Sequence, residues 1–261
     1  MTATEDTMRL LAVAVTAILS VSLGWPADLQ KRDVDIKAPD GTNLKASYFS
    51  VGRPGPAMIL LHQCNMDRHA WDGLAKELAE AGFHVLTVDF RGYGESGGGR
   101  PTDASERRAV VQEKWPSDVD AAFAYLTTQK GVDKSRIAAG GASCGVTQSS
   151  DLAARHHEIR ALMLLSGSAS DATRAYLSAT PALPVFGAAS EGDTNAAKGV
   201  KEAVAASKNP HSILKIYAGT EHGVPMLAKN AELEPMIVAW LKGQLAEGGG
   251  GHGHKIGRAH V

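Results

Sequence analysis

The chain has 261 residues, with 27 Lys and Arg against 28 Asp and Glu, 44% hydrophobic residues and two cysteines. That length can bury a substantial core, and a formal charge of −1 removes the basic footprint of a nucleic-acid binder. Charged residues at 21% exclude a mainly disordered chain, and two cysteines cannot build a disulfide scaffold or a four-cysteine zinc site.

In chain order, the first feature is the apolar run Leu10 to Gly24, with Arg9 just before it. It falls short of the roughly 20 apolar residues that cross a bilayer. Small residues at Ser22 and Gly24 suit a signal-peptidase site, so residues 1–24 are expected to be an export signal. Glu5 and Asp6 are foreign to such a signal's leading region and point to Met8 as the start. The expectation is a periplasmic or secreted protein with no membrane span after cleavage.

Two β-rich runs follow, Arg32–Ala38 and Leu44–Val51, and then AMILL at Ala57–Leu61, a continuous apolar strand of the kind buried on both faces. Ala70–Ala81 places Trp71, Leu74, Leu78 and Ala81 at helical spacing. Strand His84–Phe90, a Gly-rich loop, a helix after Pro116 and strand Ile137–Gly141 come next. A helix from Cys144, strands Ala161–Leu165 and Pro184–Ala188, a helix from Thr194, strand Ser212–Tyr217 and a last helix Pro225–Leu245 complete the pattern. Alternating strands and helices predict one α/β domain over residues 25–246, with a mostly parallel eight-stranded sheet and helices on both faces. Only Ser166–Leu183 separates the sixth and seventh strands, too little for a large cap. Four glycines from Gly248 end the domain near Ala246, leaving a Gly/His-rich tail, 247–261, expected to be disordered. Its last seven residues, KIGRAHV, back-translate to the start of a short-read sequencing adapter and are expected not to be native.

An open α/β sheet places its ligand crevice at the carboxyl ends of its strands, where the polar residues gather here. Gly141-Ala142-Ser143-Cys144-Gly145 is G-x-S-x-G between a strand and a helix, which makes Ser143 the candidate nucleophile. Its plainer reading is a turn of small residues. A serine hydroxyl needs a base within hydrogen-bond reach. His222, in AGTEHGVP just after the last strand, returns to the same sheet edge. His84, His156, His157 and His211 have bland positions in a strand, at a helix end or after a turn. Asp193, ending the loop ASEGD, is the favoured acid to orient His222, with an N-cap as its alternative role. Glu191 is its nearest competitor and Asp171 a weaker one. An oxyanion hole needs two fixed backbone N–H groups. Cys144 supplies one, and the loop His62-Gln63-Cys64-Asn65-Met66 should supply the other.

The stretch LLHQCNMDRHAWDGLAKELAEAGFHVLTVDFRGYGES resembles the N-terminal half of the α/β-hydrolase superfamily, with Asp89 to Ser96 matching its Asp-x-Arg-Gly-x-Gly-x-Ser motif throughout. The likeness runs from about Val34 to Leu245 and is nearest to the compact, capless members grouped with dienelactone hydrolases and carboxylesterases. The order Ser143, Asp193, His222 is that of the superfamily. The resemblance implies a cofactor-free serine hydrolase of carboxylic esters, with Ser143 as nucleophile, Asp193 as acid, His222 as base, and Cys144 and Cys64 as oxyanion donors. The implied substrate is a small-molecule or polymer-linked ester.

Two departures stand out. The superfamily's His-Gly is His62-Gln63 here, which leaves the second donor open between Gln63 and Cys64. Dienelactone hydrolases proper use a cysteine nucleophile, whereas this chain carries serine there and cysteine one place later. Both cysteines fall on the expected oxyanion loops, and in an exported protein they form either a disulfide or two buried thiols.

The same triad serves thioesterases, peptidases and lactonases, and the fold also serves non-catalytic binding proteins. Gly92 to Gly97 spells GxGxxG, but no helix opens directly after it, which disfavours a nicotinamide-dependent oxidoreductase. No HExxH or similar spacing suggests a metal.

Overall fold

The computed structural model describes residues 28–246. The expected export signal and the tail from 247 lie outside the described residues. Eight strands form one sheet: β1 (Gln30–Lys37), β2 (Asn43–Ser50), β3 (Gly55–Leu61), β4 (His84–Val88), β5 (Val132–Ala142), β6 (Ile159–Leu165), β7 (Val185–Ser190) and β8 (Ile213–Tyr217). Their order is β1-β2-β4-β3-β5-β6-β7-β8. β1 and β2 pair antiparallel at one edge, and β3 to β8 run parallel.

The apolar run of β3 serves both faces. Ile59 and Leu61 pack with Trp115, Val119 and Leu152 on one side. Met58 and Leu60 pack with Leu74, Leu78, Ile237 and Leu241 on the other. The first group of helices includes α3 (Trp115–Thr127) and α4 (Cys144–Arg155), and the second includes α1 (Asp72–Glu80) and α8 (Leu233–Gln244). A strand covered on both sides has no solvent face on which to place polar residues, hence its unbroken hydrophobicity.

Three helical segments differ from the sequence expectation. The helix expected after Pro116 has a longer approach: α2 (Ala104–Ala109) runs through a π-helical stretch, Val110–Lys114, into α3. Proline has no N–H and its ring crowds the carbonyl four residues back, so widening the turn before Pro116 accommodates it. A further helix, α5 (Asp171–Ala179), lies between β6 and β7, capped by Ser170 Oγ accepting from Thr173 N–H at 3.1 Å. The expected last helix is two, α7 (Pro225–Lys229) and α8, separated at Asn230. An uninterrupted helix would put Pro235 in its interior at a cost of about 3 kcal/mol, whereas α8 holds it in its first turn. α6 (Thr194–Ala206) follows β7.

The register sets the site. Leu61 pairs with Gly141, Leu165 with Ala188 and Ser190 with Tyr217, so the carboxyl ends of β3, β5, β7 and β8 finish along one edge. The chain winds from β3 outward to β4, then returns to add β5 on the other side of β3. Loops leaving β3 and β5 therefore part in opposite directions and open a crevice between them.

Candidate active site

Ser143 sits at that crevice between β5 and α4, with φ 53° and ψ −117°. A side chain other than glycine's is rarely held in this region, and the strain is of order 1–3 kcal/mol. The surroundings enforce it. Ser143 N–H donates to the Leu165 carbonyl at 2.9 Å. A Cβ on Gly141 would overlap the Gly145 carbonyl, and one on Gly145 would overlap the Leu61 carbonyl of β3. The turn thus needs both glycines, and it lifts the serine off the strand end at the amino terminus of α4. Backbone N–H groups at that terminus favour negative charge.

His222 lies in the loop after β8, and Nδ1 meets Asp193 Oδ2 at 2.6 Å. A carboxylate accepts, so Nδ1–H donates and Nε2 is left as the basic nitrogen. Asp193 occupies the N-cap position of α6, yet its side chain makes no capping bond and turns to His222 instead. Glu191 is exposed, and Asp171 begins α5 and pairs with Arg174.

The His222 loop is fastened on both sides of the histidine. Ser190 Oγ–H donates to the Glu221 carbonyl at 2.7 Å. Val224 N–H donates to Gln63 Oε1 at 2.9 Å. Gln63 is 2% exposed, and its Nε2–H donates to Asn65 Oδ1 at 2.9 Å. A Cβ on Gly223 would collide with the same Gln63 amide, so the loop passes close against the β3 loop. Cys64 and Cys144 are joined as a disulfide with Cα atoms 5.8 Å apart, tying the β3 loop to the residue that follows Ser143.

Ser143 and His222 line one open cleft of about 390 Å³ with Cys64, Asn65, Tyr93, Arg100 and Arg107. The last three come from the chain between β4 and α3. The loop that carries Tyr93 folds around Asp89, which accepts from Arg68 N–H at 2.6 Å, Arg68 Nη1 at 2.5 Å and Glu95 N–H at 2.9 Å. Gly94 (φ 52°) leaves no room for a Cβ beside that carboxylate. The Asp-x-Arg-Gly-x-Gly-x-Ser motif therefore folds a loop around a buried acid, and its glycines serve that turn. Reading the motif as structure alone is what hid Tyr93 and Arg100 as cleft residues. Arg107 was hidden because α2 carries no apolar periodicity. Among the described residues no group of three or more His, Cys, Asp or Glu is arranged to hold a metal.

A family model described as alpha/beta hydrolase fold matches residues 56–223. A protein of Mycobacterium tuberculosis is 36% identical over 124 residues, covering 47% of this chain and 41% of that protein. A 31.7 kDa protein of Escherichia coli is 28% identical over 109 residues, covering 41% of this chain and 36% of that protein. The matched stretch thus spans about two fifths of the length of these curated relatives. Among solved structures, an esterase of Pyrococcus furiosus is similar with a TM-score of 0.66 at 20% identity, covering 83% of this chain and 91% of that one. A thermophilic esterase of Thermogutta terrifontis gives a TM-score of 0.60 at 16% identity, over 82% and 99% of the two chains.

Proposed function

Because this chain belongs to the alpha/beta hydrolase fold family, we propose that it is a serine hydrolase of carboxylic esters acting through Ser143, His222 and Asp193. The observation that carries the reading is the strained Ser143 turn facing the same cleft as a histidine whose other nitrogen is held by a carboxylate. A hydroxyl presented this way has no structural duty in the turn, and the strain is intelligible as presentation of a nucleophile. The esterases among the similar structures are consistent with this chemistry.

His222 Nε2 takes the Ser143 proton as Oγ attacks the ester carbonyl. The oxyanion is met by Cys144 N–H and by an N–H of the Gln63–Cys64 turn. Asp193 holds the imidazolium in place. The proton passes to the leaving alcohol, and a water activated by His222 releases the acid and restores Ser143. With only α5 between β6 and β7, the open cleft suits short or exposed acyl esters. Export is part of the proposal, supported by the apolar run Leu10–Gly24 and by a disulfide that needs an oxidising compartment to persist.

The test is fluorophosphonate labelling of the full chain read by intact mass, beside turnover of a short p-nitrophenyl ester. One adduct is expected on wild type and none on Ser143→Ala, whose turnover should fall on the order of 10⁴–10⁶-fold. Folded wild type that takes no label and turns over no ester would instead favour a non-catalytic binding protein.

A further inference from the structure

We infer that Asn65 is a specificity-determining residue. Its side-chain amide donates to an oxygen acceptor, an ether or a hydroxyl, that the ester carries a few bonds from its scissile carbonyl. This rests on the serine-hydrolase reading above and narrows it to a substrate class.

An asparagine amide has a donor end and an acceptor end, and on an open surface either can face outward. Here a buried chain of hydrogen bonds settles which one does. Val224 N–H can only donate, and it donates to Gln63 Oε1 at 2.9 Å. The Gln63 amide is thereby set with Nε2 at its other end, and Nε2–H donates to Asn65 Oδ1 at 2.9 Å. Turning either amide over would set N–H against N–H beside a glutamine that is 2% exposed. Asn65 Oδ1 is therefore occupied, and Nδ2 is the end left over, with no acceptor among the described residues. Asn65 lines the cleft that holds Ser143 and His222, so its spare donor is offered to whatever ester enters.

The backbone that carries Asn65 is held as firmly. The Gln63 carbonyl accepts from Met66 N–H at 3.0 Å and from His62 Nδ1–H at 2.8 Å, closing a turn with Cys64 and Asn65 at its centre. Cys64 is bonded in turn to Cys144, the residue after Ser143. A donor fixed by a tight turn, a disulfide and a buried amide loses little freedom on meeting its acceptor, which favours discrimination between substrates. Its reach follows from the chain. The Asn65 Cα is one peptide step, about 3.8 Å, from that of Cys64, whose turn is proposed to supply an oxyanion N–H. The asparagine side chain is short, so its acceptor lies close to the reacting carbonyl. Gln63 in place of the superfamily's glycine makes this possible, because glycine has no amide to fix the direction of Asn65. A purely structural Asn65 would serve only as the acceptor for Gln63, a duty that aspartate performs equally well.

The experiment uses two matched probe pairs on the full chain, each exchanging one methylene for an ether oxygen. p-Nitrophenyl methoxyacetate against p-nitrophenyl butyrate places the oxygen on the acyl side. 2-Methoxyethyl acetate against butyl acetate places it on the alcohol side. Each ratio of kcat/KM is divided by the ratio of the hydroxide-catalysed rates, which removes intrinsic reactivity. In at least one pair wild type should favour the ether by roughly fivefold, the worth of one neutral hydrogen bond. In Asn65→Asp, which still accepts from Gln63 but cannot donate, the preference should vanish while Tm stays near that of wild type. Asn65→Ala, which adds no charge, should lose the preference as well, and fluorophosphonate labelling shows that each variant is folded. Wild-type ratios near one in both pairs, or a preference that survives in either variant, would overturn the inference while leaving the hydrolase reading intact. Absence of turnover and labelling in wild type would remove both.

Discussion

Gln63 stands where the superfamily pattern has glycine, and its side-chain amide joins the β3 loop to the loop that carries His222. In Gln63→Gly the buried Val224 N–H loses its acceptor, a loss of about 1–3 kcal/mol. The nearby His222 would then hold its position less well, and misplacement of the proposed base is costly out of proportion to its size. The expected result is a lower Tm together with a roughly tenfold fall in kcat and little change in KM for a short ester. Thermal melts and steady-state kinetics check this, and a variant as stable and active as wild type would show that the amide is a passenger. The contrast with Ser143, Asp193 and His222 is instructive. Those three are candidates in the sequence because chemistry restricts which residue types can fill each place and because each follows a recognisable strand; the structure joins Asp193 to His222 and sets Ser143 and His222 on one cleft. Gln63 is marked in the sequence only as a departure and a candidate backbone donor; nothing there points to its side-chain bond with Val224, 161 positions away. Asp193 could have been a helix cap on sequence grounds, and only the direction of its side chain separates the two roles.

At the scale of elements, the strands were readable from unbroken apolar runs, and the helices were readable only where a buried face repeats. α2 buries nothing, and α5 buries only Thr173 and Leu177, so neither leaves a periodic stripe. The division of the last helix was written at Pro235, whose effect depends on where the preceding helix begins. The disulfide acts at this scale too, joining the β3 loop to the head of α4 across a sequence separation of 80. Closing a loop of that length removes unfolded-state entropy worth roughly 4–5 kcal/mol in the chain-entropy treatment. It also limits how far the two proposed oxyanion donors can drift apart. Cys64→Ser/Cys144→Ser, or wild type treated with reductant, should therefore unfold at a lower temperature and turn over esters more slowly. Scanning calorimetry paired with an esterase assay reads both. A variant that loses stability but keeps kcat would limit the bridge to a stabilising part.

Over the whole molecule, the sheet and the histidines buried beside it make stability depend on pH. His62 and His84 are 0% and 1% exposed. Phe90 N–H donates to His62 Nε2 at 3.0 Å, so His62 carries its proton on Nδ1, which faces the Gln63 carbonyl at 2.8 Å. His84 Nε2–H donates to the Arg53 carbonyl at 2.8 Å, and Nδ1 meets the Tyr48 hydroxyl at 2.5 Å, which can donate to a neutral ring. Burial pushes both below the ordinary histidine range, only partly offset by the bonds each ring makes to backbone carbonyls. Unfolded histidine takes its proton near pH 6.5, whereas these two resist it until lower pH. Between those limits the unfolded chain binds more protons than the folded one, so stability rises with pH there and is fully present above about 6.5. Acidification from pH 7 toward 5 should lower the urea midpoint in a window above that in which most carboxylates titrate. Equilibrium urea unfolding of Ser143→Ala followed by tryptophan fluorescence gives the profile without interference from turnover. His84→Gln, whose amide can donate at one end and accept at the other without titrating, should flatten part of the slope. A midpoint constant from pH 7 to 5 would mean that the two rings do not resist protonation in the folded protein, contrary to their burial and to the bond that Phe90 N–H donates to His62.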